Sequence, residues 1–283
     1  MIRLVASDMD GTLLQEDGTI SDRTARTVKE LQESGGRFVV CTGRGYEDAK
    51  RPLEEKGILC DIICMNGAAV YNRQGQQVYR QELSTGQVKF IMDCCKEEVV
   101  FDFMTDRGSC TITTKERFGE YFHAGLLLPM AGGITYEYIV NRFHFLTREE
   151  LFTSGLEFFK MSVIHPSPFV LERIKQELEG NTHLAVASSH HTNLEVTNSS
   201  AQKGLALLRY AQLKGIRSKE IMAIGDSEND LSMLSLPLGY TVAMENGMES
   251  VKQAAKCMTR SNKEDGVAFA IETLLFEDTK QAC

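Results

Sequence analysis

The sequence lacks any uninterrupted apolar run of about 18 residues, the length that a membrane-spanning helix needs. Arg3 and Asp8 break the amino-terminal apolar stretch, so no signal peptide is indicated. Positive charge is also scarce, since 31 Lys and Arg stand against 39 Asp and Glu, for a net charge of −8. This balance argues against a nucleic-acid-binding protein. We therefore expect a soluble, cytoplasmic protein with no nucleic-acid or membrane partner and no obligate protein partner.

Two patterns typical of metal or disulfide sites are missing as well. The eight cysteines form no CxxC pair and several lie in apolar runs, which predicts reduced, mostly buried thiols. The six histidines show no HxxxH or HxH spacing, which favours surface or hydrogen-bonded side chains over a zinc centre. What remains is a chain of 283 residues, 42% of them hydrophobic, enough for one large domain or two smaller ones.

Alternating strand and helix patterns at the start of the chain predict a parallel sheet. Apolar strands are expected at residues 4–7, 38–41 and 61–65, with amphipathic helices between them. The same alternation resumes near residue 198. Between the two stretches the pattern is α+β, which predicts an inserted domain at residues 85–196. Within it we expect a helix at 167–179 and strands at 99–104, 111–113, 160–164, 184–187 and 194–196.

Each of the first three predicted strands ends in a small polar cluster, at residues 8–10, 42–44 and 66–68. Parallel strands bring such ends to one edge of the sheet, where open α/β sheets bind their ligands. In an extended chain Asp8 and Asp10 would point the same way. Two unpaired carboxylates there repel each other, and a divalent cation such as magnesium would relieve the cost. A solvated acidic turn is the alternative interpretation.

Two further motifs follow the inserted domain. Lys203 is predicted at the start of a helix, where a cation opposes the helix dipole, so an anionic group should lie close by. A second apolar strand ends at Gly225, followed by Asp226 and then Asp230, which would share one face of a first helical turn. In the earlier cluster, Thr42 offers a hydroxyl, and Gly43 lets a backbone N–H approach an anion. Taken singly, Thr42 to Arg44 could be an ordinary turn and Lys203 a surface lysine.

Together these motifs resemble the haloacid dehalogenase (HAD) superfamily of phosphatases. The chain is most similar to its Cof-type branch, class IIB, which carries a large α/β cap between the second and third motifs. The resemblance runs essentially end to end, and no catalytic position departs from the pattern. In order, the motifs are Asp8-Met9-Asp10-Gly11-Thr12, Thr42-Gly43-Arg44, Lys203, and Gly225-Asp226-Ser227-Glu228-Asn229-Asp230.

The resemblance implies a Rossmann-like catalytic core at residues 1–84 and 197–283, and a substrate-selecting cap at 85–196. It implies a magnesium-dependent phosphohydrolase that removes phosphate from a small metabolite such as a sugar phosphate, a nucleotide or a phosphorylated cofactor. Asp8 would form an aspartyl-phosphate, while Asp10 would protonate the leaving alcohol and then activate water. The groups holding the phosphoryl oxygens would be Thr42, Gly43 and Lys203. The implied metal site consists of Asp8, the Asp10 carbonyl and Asp226 as ligands, Asp230 as either a ligand or a residue that orients the ligands, and Asn229 as a support of the metal loop.

Substrate choice is expected to depend on further side chains. Arg44 and Asn66 are candidates in the core, and His190, His191 and Asn193 are candidates at a turn near the cap's return to the core. Closure of the cap, through short connections near residues 84–86 and 197–199, would exclude water from the reaction.

Two alternative functions stay open. A phosphosugar mutase would share Asp8 and Asp10 but pass the phosphoryl group to a sugar hydroxyl. A non-catalytic regulatory protein on the same fold should have lost a nucleophile or metal ligand, and this sequence has lost none. A P-type ion pump shares the nucleophile chemistry, but the lack of membrane helices argues against it.

Overall fold

The computed structural model describes residues 1–127 and 135–277. The chain divides into two compact units. The first unit combines Met1–Tyr79 with the chain from Lys203 onward, and the second unit is Arg80–Gln202. Whether the two parts act as catalytic core and substrate-selecting cap stays a prediction.

Strands and helices alternate along most of the described chain. In chain order the strands are β1 (Leu4–Ser7), β2 (Arg37–Cys41), β3 (Asp61–Cys64), β4 (Ala69–Tyr71), β5 (Gln77–Arg80), β6 (Val100–Thr105), β7 (Gly108–Thr111), β8 (Phe143–Phe145), β9 (Phe158–Ile164), β10 (Leu184–Ala187), β11 (Asn193–Asn198), β12 (Ile221–Gly225), β13 (Tyr240–Ala243) and β14 (Cys257–Met258). The α-helices are α1 (Asp22–Glu33), α2 (Tyr46–Glu55), α3 (Thr85–Cys94), α4 (Lys115–His123), α5 (Tyr136–Val140), α6 (Arg148–Thr153), α7 (Pro168–Glu179), α8 (Lys203–Leu213), α9 (Leu231–Leu234), α10 (Glu249–Ala254) and α11 (Gly266–Ile271). Short helical turns lie at Met9–Leu13, Met65–Gly67, Ser218–Glu220, Glu228–Asp230, Asn262–Glu264 and Glu272–Glu277.

The first unit is built on an eight-stranded sheet in the order β14-β13-β12-β1-β2-β3-β4-β5. Neighbouring strands from β14 to β3 run parallel, and β4 pairs antiparallel with β3. Central strands such as β12 are apolar along their whole length because a parallel sheet is buried on both faces. On one face Leu4 and Ala6 share a hydrophobic cluster with Leu207 and Ala211 of α8. The predicted α/β class with a parallel-sheet core is confirmed.

Because these strands are parallel, the polar clusters that follow β1, β2, β3 and β12 lie along one side of the sheet, here called the carboxyl edge. The other side, where β2 begins at Arg37 and β3 at Asp61, is called the amino edge. A strand of five residues separates the two edges by roughly 15 Å.

The second unit contains a six-stranded sheet in the order β10-β11-β9-β6-β7-β8. Most of its neighbours are antiparallel, with β7 and β8 parallel. Val88 of α3 and Ile174 of α7 share one hydrophobic cluster with Phe103 of the sheet. A second cluster joins Phe118 of α4 to Val100 of β6. This is the α+β pattern that the sequence predicted for the insert.

One strand of the insert was predicted in the wrong place. The expected strand at residues 111–113 is instead β7, Gly108–Thr111. β6 ends at Thr105, and Gly108, with a φ of 99°, follows a tight turn and starts the returning strand. Further on, Thr114 caps α4 by accepting a hydrogen bond from the Arg117 N–H. Threonines favour strands, but here the hydroxyl is used at a helix start.

The segments expected to connect the cap to the core belong to regular elements. Ser84 caps α3, with reciprocal hydrogen bonds to Gln87, and Thr197 and Asn198 end β11. Movement of the cap through these segments stays a prediction.

The remaining structural expectations concern membranes and thiols. Among the described helices, none is long and apolar enough to span a bilayer. The seven described cysteines are free thiols, and five of them are buried. The prediction that most of the cysteines are buried is confirmed for the described residues, while their reduced state stays a prediction.

Candidate active site

Three carboxylates meet at the carboxyl edge of the first unit. Asp8 follows β1, Asp226 follows β12, and Asp230 ends the next turn. One carboxylate oxygen from each lies within 4.8 Å of the others. The parallel pairing of β1 and β12 brings Asp8 close to Asp226, because the two strands end side by side. The Asp8 N–H continues this pairing by donating to the Ile224 carbonyl at 2.9 Å.

Lys203 lies between these carboxylates. Its Nζ donates to Asp8 Oδ1 at 2.6 Å, to Asp230 Oδ1 at 2.8 Å and to Asn229 Oδ1 at 3.3 Å. Only 1% of the residue is exposed. The sequence predicted an anionic group near Lys203 at the start of α8, and the structure confirms that prediction.

The electrostatics of the cluster follow from burial and crowding. Burial, followed by repulsion from Asp230, raises the pKa of Asp8 well above its usual value, although Lys203 opposes the shift. Burial and then Asp230 also raise the pKa of Asp226, to about 7. For Lys203, burial favours the neutral amine, but Asp230 and Asp8 raise its pKa above the ordinary value. One ammonium does not balance three carboxylates, so the donor set suits a divalent cation that prefers oxygen ligands.

Asp230 organises the loop after β12. Its Oδ2 accepts hydrogen bonds from the backbone N–H groups of Asp226, at 2.9 Å, and Ser227, at 3.1 Å. Asp226 and Asp230 therefore meet across a loop, and not on one face of a helical turn as expected. The loop requires glycine before it, because a Cβ on Gly225 would lie 2.5 Å from Asp230 Cγ.

Sequence reasoning missed two residues that support Asp226. Thr12 Oγ1 donates to Asp226 Oδ1 at 2.7 Å. A residue far along the chain holds the turn that carries Thr12, because Asn246 Nδ2 donates a hydrogen bond to the Gly11 carbonyl at 2.8 Å. Thr12 could have been found from its place in the first motif, whereas Asn246 carries no signal in the sequence.

Gly11 lets this turn approach the carboxylates. Its φ is 75°, and a Cβ on it would lie 2.5 Å from Asp226 Oδ2. Any other residue would be strained there and would displace the Asp226 side chain.

Asp10 is oriented differently from the expectation. The strand ends at Ser7 and the chain turns at Met9–Leu13, so strand alternation does not extend to Asp10. Its side chain is 48% exposed and accepts two hydrogen bonds from Arg44, Nη2 to Oδ1 at 2.6 Å and Nε to Oδ2 at 2.9 Å. The carboxylate cluster therefore contains Asp8 but not the Asp10 carboxylate, while a metal contact through the Asp10 carbonyl stays a prediction.

The second and third polar clusters lie at the same edge. Thr42 is fully buried, and its Oγ1 accepts a hydrogen bond from the Arg44 N–H at 3.1 Å, with Gly43 between the two. The Asn66 N–H donates to the Thr42 carbonyl at 3.0 Å. Asn229 Nδ2 in turn donates to Asn66 Oδ1 at 3.3 Å. The carboxyl edge thus brings the predicted clusters together, while their roles toward phosphate, metal or substrate stay predictions.

The candidate cap residues lie at the turn between β10 and β11, as predicted. His190 Nδ1 is 2.8 Å from Thr192 Oγ1, and burial, with a contribution from His191, lowers the pKa of His190. Asn193 is buried, and its Oδ1 accepts a hydrogen bond from the His190 N–H at 3.0 Å. Its Nδ2 donates to Ser189 Oγ at 3.0 Å. Asn193 holds the turn, and contact of these residues with substrate stays a prediction.

Comparison with known proteins identifies the class of protein to which this parallel α/β sheet and its acidic cluster around a buried lysine belong. Residues 5–271 match the family described as haloacid dehalogenase-like hydrolase. The chain belongs to this family. The expected class, a phosphatase of the HAD type, is also supported by named relatives.

Two of these relatives come from Bacillus subtilis (strain 168). The chain is 30% identical to 5-amino-6-(5-phospho-D-ribitylamino)uracil phosphatase YwtE, over 97% of this chain and 98% of that protein. It is 28% identical to phosphatase YwpJ, over 97% of this chain and 100% of that protein.

Solved structures agree in fold. A haloacid dehalogenase-like hydrolase from B. subtilis superposes with a TM-score of 0.86 at 26% identity, covering 97% of this chain and 100% of that chain. The HAD subclass IIB sugar phosphatase BT4131 has a TM-score of 0.75 at 22% identity, covering 96% and 98%. The second likeness concerns the fold alone. Membership of the haloacid dehalogenase-like hydrolase family, as the motifs predicted, is confirmed, while the class IIB assignment stays a prediction.

Proposed function

We propose that the protein hydrolyses phosphate monoesters of small metabolites, with Asp8 as the nucleophile and magnesium as the metal. The observation that carries the proposal is the position of Asp8, which is 3% exposed, lies at the carboxyl edge and is held by Lys203 at 2.6 Å. Burial of a nucleophilic carboxylate among charged groups is costly unless a ligand or ion uses it. These residues also argue against a non-catalytic regulatory protein, because the nucleophile Asp8, the lysine Lys203 and the acidic residues Asp226 and Asp230 are all present.

The proposed reaction has two steps. A carboxylate oxygen of Asp8 attacks phosphorus, and the bond from phosphorus to the ester oxygen breaks as Asp10 donates its proton to the leaving alcohol. Water then attacks the aspartyl-phosphate, Asp10 accepts a proton from that water, and inorganic phosphate leaves with Asp8 regenerated. Splitting the reaction in this way replaces one difficult step with two easier ones.

The surrounding residues of the first unit have distinct parts in this scheme. The Lys203 ammonium, the Thr42 hydroxyl and the Gly43 N–H stabilise negative charge on the phosphoryl oxygens. Arg44 holds both oxygens of Asp10, so at least one of these hydrogen bonds must break before Asp10 can donate a proton. Arg44 therefore controls when the acid is available.

The acidic cluster fits a magnesium ion. Asp8, Asp226 and the Asp10 carbonyl are the proposed direct ligands. Asn229 is a further candidate, but its Oδ1 already accepts hydrogen bonds from Lys203 and from Ser227 Oγ, the latter at 3.0 Å. When bound, magnesium would supply positive charge that offsets repulsion between Asp8 and an anionic substrate. Asp230 orients the ligands, since its two oxygens already hold Lys203 and the backbone of the loop.

For the substrate, we propose a small phosphorylated metabolite. The support is the similarity to YwtE, which is named as a phosphatase of a phosphorylated ribitylamino-uracil. We propose that His190, His191 and Asn193 help select the leaving group. Substituting the two histidines with alanine should then change kcat/KM unequally across sugar phosphates, nucleotides and phosphorylated cofactors. Equal losses on every substrate, or no change on any, would rule out this selective role.

The variant Asp8→Asn tests the proposed nucleophile. It should abolish phosphate release, because the amide lacks nucleophilic charge. The melting temperature should stay near that of wild type, because Lys203 keeps its hydrogen bond to Asp230 and the loss of one carboxylate relieves repulsion in the cluster. Asp22→Asn is the matched control, since Asp22 is a surface residue whose side chain is 84% exposed. Retention of more than about a tenth of the activity in Asp8→Asn would overturn the assignment, because covalent roles contribute orders of magnitude.

Metal dependence is tested on the wild-type protein. Activity should vanish after treatment with a chelator and return with magnesium. Calcium should inhibit, because its larger and more variable coordination shell misaligns the attack. Full activity in the metal-free sample would contradict the proposed cofactor. Release of phosphate into water, and not transfer to a sugar hydroxyl, would distinguish the hydrolase from a phosphosugar mutase.

A further inference from the structure

A polar cavity lies in the first unit, away from the carboxylate cluster. Its volume is about 350 Å³. It lies at the amino edge, where β2 and β3 begin, whereas Asp8 and Asp226 lie at the carboxyl edge. Its walls come from the end of α1, the starts of β2 and β3, the turn after β4, and α8. The residues that matter below are Arg37, Leu59, Asp61, Arg73 and Tyr210.

The one carboxylate in the cavity wall is already compensated. Asp61 is 5% exposed, and its Oδ2 accepts a hydrogen bond from the Tyr210 hydroxyl at 2.8 Å. Its Oδ1 accepts from the backbone N–H of Arg73 at 2.8 Å. Lys214 Nζ lies 3.4 Å from Oδ2. Asp61 therefore fixes the wall of the cavity and has no need of another cation.

The two arginines of the cavity are not compensated in this way. Within the described part of the chain, neither the Arg37 nor the Arg73 guanidinium has a hydrogen-bond or ion-pair partner. Arg37 is partly buried at the start of β2, and Arg73 is exposed in the turn between β4 and β5. Arg37, Arg73 and Asp61 give the cavity wall one net positive charge, and Lys214 beside Asp61 adds a second, in a protein whose net charge is −8. Guanidinium groups recognise planar and tetrahedral oxyanions through paired N–H donors.

We propose that this cavity is a second binding site, separate from the catalytic one, for a small oxyanionic metabolite. Phosphate esters and carboxylates share the required chemistry, namely two or more oxyanion oxygens facing Arg37 and Arg73. The exposed Leu59 side chain adds an apolar rim for the body of such a molecule; 64% of that residue is exposed. The site is independent of the proposed reaction, because none of its residues belongs to the catalytic set.

The protein contains no tryptophan, which permits a reporter that responds to this cavity alone. Leu59→Trp places a single tryptophan on the rim, at an exposed position where the larger ring can be accommodated. Two probes are titrated separately into the magnesium-loaded protein. Inorganic phosphate represents the phosphate esters, and succinate represents the carboxylates. A saturable change in tryptophan emission with either probe is expected, and the probe that produces it identifies the anion class. No saturable change with either probe would overturn the proposal.

Charge variants in the reporter background establish where the anion binds. Arg37→Gln combined with Arg73→Gln should weaken binding by at least about tenfold, because each guanidinium supplies charge-assisted hydrogen bonds. The single variant Arg73→Gln, at an exposed position, should shift binding in the same direction without a risk to folding. Arg26→Gln combined with Lys219→Gln removes the same charge from exposed positions outside the cavity and should leave binding unchanged. Equal weakening in both double variants, or in neither, would refute the assignment of the site to Arg37 and Arg73.

Discussion

Replacing Lys203 with methionine removes the positive charge from the centre of the carboxylate cluster and leaves a side chain of similar length. The wild-type ammonium makes two short hydrogen bonds, at 2.6 Å to Asp8 and 2.8 Å to Asp230, with no exposure of its side chain. Breaking a buried ion pair by removing one partner costs about 3–5 kcal/mol, because the other charge stays buried without compensation. In a domain of this size that corresponds to a fall of about 10 °C in melting temperature.

Lys160→Met is the matched control for this experiment. Lys160 forms another buried lysine–carboxylate pair, at 2.6 Å to Glu195, and the side chains are 3% and 4% exposed. Its loss should also lower stability. The two variants should differ in their response to magnesium, since only Lys203→Met leaves three carboxylates of a metal site unbalanced.

The assay is thermal melting of the metal-free protein with and without added magnesium. The magnesium-induced rise in melting temperature should be larger for Lys203→Met than for wild type, because a nearby positive charge no longer opposes the ion. For Lys160→Met the rise should equal that of wild type. A melting temperature of Lys203→Met within about 2 °C of wild type would refute this prediction, and so would equal stabilisation of all three proteins by magnesium.

Two other predictions concern the same cluster. Gly11→Ala should weaken magnesium binding, because the added Cβ would lie 2.5 Å from Asp226 Oδ2. Gly108→Ala is the control: it has a φ of 99° and no atom within 4 Å of the added Cβ, so it should lower only the stability of the protein. Metal titration by calorimetry distinguishes the two variants. The metal-free protein should lose stability as the pH rises from about 4 to about 7, because the raised pKa values of Asp8 and Asp226 mean that the folded state binds more protons than the unfolded state. Melting curves that are flat across this range would contradict that reasoning.

The order of strands and polar clusters made the carboxyl edge predictable from the sequence. Asp8, Thr42 and Asp226 each follow an apolar strand, and parallel pairing is enough to bring them to one edge. The presence of an anionic group close to Lys203 was predictable from the position of this lysine at the start of a helix, where its charge opposes the helix dipole. These inferences depend on local patterns and on a rule of topology, and neither requires knowledge of individual side-chain contacts.

The contacts that were missed connect residues far apart in the chain. Thr12 and Asp226 are 214 residues apart, and Asn246 reaches Gly11 over 235 residues. The ion pair of Asp10 with Arg44 depends on how the chain turns after β1, which strand alternation does not describe. Such details follow from side-chain packing in the finished fold, so single-sequence patterns carry little information about them.

In the proposed reaction Asp8 carries the phosphoryl group between the two steps. The most direct measurement is a rapid acid quench of the magnesium-loaded enzyme during turnover of a phosphorylated substrate, followed by peptide mass spectrometry. Phosphate is expected on the peptide that contains Asp8, at the Asp8 side chain, and none is expected in Asp8→Asn. Phosphate on another residue, or turnover with no phosphorylated enzyme under conditions where the first step outpaces the second, would contradict this role of Asp8.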